Sequence, residues 1–119
     1  MSVTIYHNPR CSKSRQTLAL IQEKDIEPEI IEYLKTPPSA TELEDILTML
    51  GLEPLELMRK GEAEFKAHVK GKDLSRGELI ACMVEHPILI ERPIVLNGGK
   101  AALGRPPESV LEVLGDTEK

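Results

Sequence analysis

Apolar residues recur along this chain in two rhythms, and the rhythm changes where proline, glycine or a capping serine falls. Val3, Ile5 and Tyr6 predict a strand over 3–6, and Leu18, Leu20 and Ile21 predict a helix over 13–24. Ile30 and Ile31 then predict a second strand over 29–33. A crossover this short makes parallel, right-handed pairing of the two strands the default. Pro37-Pro38 breaks the chain, and Ser39 with Glu42 is a capping-box signature. Leu43, Ile46, Leu47 and Leu50 follow on one helical face, with Gly51 as the stop.

Pro54 opens a short helix ending near Met58 and Arg59. The stretch 60–73 is rich in charge and glycine, with Phe65 and Val69 its main apolar anchors, and reads as a mobile loop or weak helix. Ser75 and Glu78 repeat the capping box before a helix over 75–86 that turns Leu79, Ile80, Met83 and Val84 inward. Residues 88–90 and 94–96 are apolar runs, and Asn97-Gly98-Gly99 is a hairpin signal before 100–103. Pro106-Pro107 introduces a last helix with Val110, Leu111 and Leu114 buried and Gly115 beyond it. The order β-α-β, helical insert, β-β-α predicts an α/β, thioredoxin-like sandwich with a mixed sheet. It is expected as a single domain over 1–119, with the insertion at about 39–86.

Composition narrows the function. With no Trp, two Tyr and one Phe, the core must be aliphatic. A formal net charge of −5 argues against a nucleic-acid surface. No apolar run is long enough to span a bilayer, and strand-like alternation at Val3 replaces the basic-then-apolar pattern of a signal peptide. Two widely separated cysteines make no disulfide framework, so the expected setting is a reducing cytoplasm, with no membrane partner.

The chemistry concentrates at Cys11, between the first strand and the first helix. A thiol at a helix N-terminus meets unpaired backbone N–H groups and the positive end of the helix dipole, which favour the thiolate. Arg10, Lys13 and Arg15 add positive charge, and Arg15 is a candidate for holding an anionic substrate. Ser14 stands where a dithiol site would have its second cysteine; it cannot resolve a disulfide, but it can donate its hydroxyl to the thiolate. The phosphatase type of loop requires arginine where Thr17 stands. Cys82 aligns with Glu78 and Glu85, which would raise its pKa and leave it a poor nucleophile. His7 is either near enough to assist the thiolate or a loop histidine bonded to backbone. His7, His68 and His86 lack metal-ligand spacing, so no metal is expected. Gly98, Gly99 and Gly104 read as turn residues. Pro93 is a candidate cis-proline facing the cysteine, which would hold Arg92 beside Cys11, and Arg59 and Arg105 are further cations from elsewhere in the chain.

These segments together resemble the glutaredoxin-coupled arsenate reductase family: His7-Asn8-Pro9 with Cys11 and Ser14-Arg15; Tyr33-Leu34 and Pro37-Pro38-Ser39; Leu57-Met58-Arg59-Lys60. The likeness continues through His86-Pro87-Ile88-Leu89-Ile90, Arg92-Pro93-Ile94-Val95 and Gly104-Arg105-Pro106. The resemblance implies a thioredoxin-like fold with Cys11 as nucleophile on arsenate or a related oxyanion. It implies Arg59, Arg92 and Arg105 as anion-binding residues and His7 as the thiolate's assistant. Electrons would come from glutathione as thiol co-substrate and from glutaredoxin, with no bound cofactor, in a monomer. Two other readings remain. A generic glutathione-linked thiol-disulfide reductase would use Cys11 without needing three arginines. A regulator resembling the Spx proteins, which bind RNA polymerase, would usually carry a second cysteine at the place of Ser14.

Overall fold

The structure is a computed structural model that describes residues 3–114. The chain divides into two compact units: residues up to Thr36 together with those from Arg92 onward, and Pro37–Glu91. The first unit holds the sheet. Strand β1 (Val3–His7) runs into helix α1 (Ser12–Glu23) and then strand β2 (Glu29–Glu32), and β1 and β2 pair in parallel with His7 opposite Glu32. After the second unit the chain returns as β3 (Ile94–Asn97), antiparallel to β1, and β4 (Lys100–Leu103), antiparallel to β3, giving the order β2-β1-β3-β4. Gly98 and Gly99 form the hairpin turn between them, with Gly98 at φ 65°, where a side chain is disfavoured. This mixed sheet in this element order is the thioredoxin-like fold.

One face of the sheet is covered by α1 and the C-terminal helices. Val3 and Ile5 of β1, Ile21 of α1 and Val95 of β3 pack with Val110, Val113 and Leu114 in an entirely aliphatic cluster. Burying each such side chain stabilises the fold by roughly 1.5–3 kcal/mol. The last helix begins as a 3-10 turn, Pro107–Val110, and continues as α5 (Leu111–Leu114). That change of pitch turns Val113 inward and leaves Leu111 only partly buried, against the sequence expectation. Gly115 lies outside the described residues. The β2 edge is less buried than its apolar pair suggested, with Ile30 45% exposed.

The second unit is helical. Helix α2 (Ala40–Leu50) starts at a complete Ser39/Glu42 capping box and stops at Gly51, φ 70°. Helix α4 (Arg76–Glu85) starts at the Ser75/Glu78 box. The 60–73 stretch, read from sequence as a loop or weak helix, contains a formed helix, α3 (Ala63–His68). Phe65 and Val69 lie four residues apart on one face and are both buried, which anchors it despite the surrounding charge. The apolar run at 88–90 forms a 3-10 turn, Pro87–Leu89. Ile90 makes an antiparallel bridge to Met58, flanked by Arg59 N–H to Leu89 C=O at 2.7 Å and Glu91 N–H to Leu57 C=O at 2.8 Å. Among the described residues no helix is long and apolar enough to cross a membrane.

Gly104 is not simply a turn residue. Its N–H donates to the Pro93 carbonyl at 2.9 Å, and a Cβ there would collide with Thr17 Oγ1 and lie 2.7 Å from Pro93 Cγ. Only glycine lets this backbone lie against both. Gly104→Ala should therefore destabilise the protein by about 1–3 kcal/mol through overpacking. A urea midpoint unchanged from wild type would show that the contact is not tight.

Candidate active site

The loop after β1 is built by three residues acting on one another. The Asn8 carbonyl accepts the Cys11 N–H at 3.0 Å, and its side-chain Oδ1 accepts the Arg10 N–H at 3.0 Å. Its own N–H donates to Ser14 Oγ, also at 3.0 Å. Ser14 is fully buried in the first turn of α1 and meets His7 Nδ1 at 2.7 Å. The loop therefore closes on itself, with Cys11 half-buried at the N-cap of α1. Asn8 was not singled out in the sequence, although asparagine before proline is a signal for turns of this kind.

Burial works against ionisation of Cys11. The Ser14 backbone N–H, the charge and hydrogen bond of the Arg92 guanidinium, and the Lys13 backbone N–H outweigh it, so the thiol lies below its ordinary value. The direction agrees with the sequence; of the cations considered there, the one acting on the sulfur is Arg92, two residues before β3, and not the exposed residues around the loop. Arg10 and Lys13 are exposed. Arg15 donates from Nη1 to the Pro9 carbonyl at 2.9 Å, bracing the loop. Ser14 meets the sulfur through its backbone, while its hydroxyl is engaged with His7 and Asn8.

His7 is buried, and burial holds its pKa below the ordinary value; Glu32 pulls it up and Arg15 pushes it down. The reading of a loop histidine bonded to backbone does not hold: His7 ends β1, and its ring is bonded to a side chain, Ser14.

Arg92 precedes Pro93 through a cis peptide bond. Its Nε and Nη1 are buried with no hydrogen-bond partner among the described residues. Unpaired buried donors cost roughly 1–3 kcal/mol each, and more when charged. Arg105 donates from Nε to the Arg92 carbonyl at 2.8 Å, and its bond to Pro106 is also cis. Cys11, Ser14, His7, Arg92 and Arg105 thus belong to one unit. Arg59 belongs to the other, where its guanidinium is held by Glu62 at 3.1 Å and Glu91 at 3.0 Å. Cys82, in that same unit, has its pKa raised by burial and by Glu85, only partly offset by Lys72.

A thiolate beside a guanidinium with two unpartnered donors suits nucleophilic attack on an oxyanion, since the fork binds oxygens and offsets repulsion between the two negative charges.

The sequence profile described as the ArsC family matches residues 6–113. The chain is 52% identical over 115 residues to the uncharacterized protein YfgD of Escherichia coli K12, spanning 95% of this chain and 97% of that protein. It is 51% identical over 116 residues to an arsenate reductase of Haemophilus influenzae, spanning 96% of this chain and 100% of that one. A solved structure of an arsenate reductase from Vibrio cholerae superposes with a TM-score of 0.90 at 54% identity, over 94% of this chain and 97% of that one.

The lowered Cys11 pKa gives a pH-dependent reactivity. Alkylation by iodoacetamide, followed by mass spectrometry of the Cys11 peptide, should show a midpoint below the free-thiol value of ~8.5. Arg92→Gln should move that midpoint up, because it removes the charge favouring the thiolate. Cys82 should react only at higher pH. A Cys11 midpoint that Arg92→Gln leaves in place would mean that this arginine does not act on the sulfur.

Proposed function

The chain belongs to the ArsC family, and from that premise we propose that it is an arsenate reductase whose nucleophile is the Cys11 thiolate. The observation that carries this reading is Arg92, whose charge favours the Cys11 thiolate and whose Nε and Nη1 are buried with no hydrogen-bond partner among the described residues. A neutral disulfide would leave those donors unpaired, whereas a tetrahedral oxyanion accepts from both. The family resemblance adds Arg59 and Arg105 to the anion-binding set.

Arsenate binds with its oxygens on the arginine donors and its arsenic facing Cys11. The thiolate attacks arsenic, an arsenic-bound oxygen leaves as water after taking up protons, and an S–As bond forms. A glutathione thiolate then attacks the Cys11 sulfur. The S–As bond breaks with its electron pair going to arsenic, which falls from pentavalent to trivalent and leaves as arsenite. The two sulfurs, oxidised together, form a Cys11–glutathione disulfide. Glutaredoxin restores Cys11 by thiol–disulfide exchange. With Ser14 in place of a second cysteine, the resolving sulfur comes from another molecule. The electrons come from thiols, so the reaction belongs in a reducing compartment, the cytoplasm.

The direct test couples arsenate reduction to NADPH oxidation with glutathione, glutaredoxin and glutathione reductase, with phosphate replacing arsenate as control. Cys11→Ser should abolish turnover and Cys82→Ser should leave it nearly intact; equal losses would rule out a single-thiol mechanism. Arg92→Lys keeps the charge but loses the fork, and should lower arsenate turnover by more than about tenfold, or ~1.4 kcal/mol of transition-state stabilisation. Reduction of a mixed disulfide of glutathione, whose reacting sulfurs carry no charge, should change much less. Arg59→Lys and Arg105→Lys test the rest of the set in the same assay. If Arg92→Lys impairs both reactions equally, the arginine serves the thiolate alone and the generic thiol-disulfide reductase is the better account.

A further inference from the structure

Glu32 has no place in the reaction described above, yet the fold sets it against the loop that makes Cys11 reactive. It pairs with His7 across the parallel β1–β2 register, and the two residues line one cleft of about 300 Å³ with Asn8, Pro9, Arg10, Leu34 and Lys35. The His7 ring is committed through Nδ1 to Ser14 Oγ at 2.7 Å. A serine hydroxyl has one proton to give. Ser14 Oγ already accepts the Asn8 N–H at 3.0 Å, so the direction of its own O–H decides whether it serves His7 or the loop around Cys11.

We propose that Glu32 is a positioning residue that draws the His7 proton to Nε2, so that Nδ1 accepts from Ser14 and the Ser14 hydroxyl is turned away from the Cys11 thiolate. Protonation of His7 reverses this arrangement. Nδ1–H then donates to Ser14, and the serine proton is released toward the loop. Two charged side chains act on the ring, Glu32 from β2 and Arg15 from α1, and Lys35 and Arg10 line the same cleft. Only Glu32 is negative. Burial and Arg15 favour neutral His7, while Glu32 opposes them. Lys35, 3.4 Å from Glu32 and 81% exposed, partly neutralises it. The catalytic meaning rests on Cys11 being the nucleophile, but the arrangement itself is read from the imidazole, so the two can fail separately.

The experiment is a pH titration of the full-length protein by nitrogen-15 and carbon-13 NMR of the histidine rings, with His7→Gln identifying the His7 signals. The neutral His7 ring should carry its proton on Nε2 and titrate below ~6.5. Glu32→Gln, nearly the same shape without the charge, should lower the His7 midpoint by about half a unit. Glu32→Asp should restore it toward wild type, and Lys35→Ala should raise it. The Glu32 side chain is 41% exposed on an edge strand, so these changes leave the core untouched. A proton found on Nδ1 in the neutral wild-type ring would overturn the proposal. So would a Glu32→Gln midpoint equal to wild type, or a fall in Lys35→Ala.

Discussion

The hydroxyl of Ser14 accepts the Asn8 amide at 3.0 Å and meets His7 Nδ1 at 2.7 Å, and through these two bonds the end of β1 is fastened to the first turn of α1. The geometry around Cys11 depends on that fastening. With Ser14 wholly buried, the loop has little freedom to rotate the thiol away from the helix N-terminus, where the Lys13 and Ser14 amides favour its ionised form. An unpaired buried hydroxyl would cost roughly 1–3 kcal/mol, so the bonds to His7 and Asn8 also justify a polar residue inside the fold. The result is a sulfur held at the helix N-terminus and tuned by the amides and the guanidinium around it.

Arg92 supplies the complementary element. The antiparallel β1–β3 pairing sets Tyr6 opposite Ile94, which brings the residues before β3 to the end of the sheet where Cys11 lies. Gly104 extends the same layer by packing against Pro93 and Thr17, and the Arg105 hydrogen bond to the Arg92 carbonyl ties the following segment to it. A guanidinium there does two things. It lowers the free energy of the thiolate, and its remaining donors meet an anion that the thiolate alone would repel.

The strands, the helix boundaries and the thioredoxin-like order were legible because local signals agreed with tertiary packing. Both serine capping boxes, Gly51 and the Gly98-Gly99 turn act over a few residues, and each is formed where its sequence indicates. Helix α3 stayed open between loop and weak helix because Phe65 and Val69 derive their stabilisation from burial, which charge-rich flanks conceal. Leu111 and Val113 exchanged roles because a 3-10 start shifts the phase of the following helix. At the site, sequence proximity pointed to Cys11 but overvalued its neighbours Arg10, Lys13 and Arg15. The cation acting on the sulfur, Arg92, is distant along the chain and was expected there only through the candidate cis-Pro93, whereas the roles of Asn8 and Gly104 arise from contacts that spacing does not encode.

The central claim is that Arg92 and Cys11 together form an oxyanion site, and protection of the thiol tests it without turnover. Arsenate should slow alkylation of Cys11 saturably in the wild-type protein at a pH where the thiolate is populated, and Arg92→Lys should largely abolish that protection. Equal protection in both proteins, or none in either, would contradict the account.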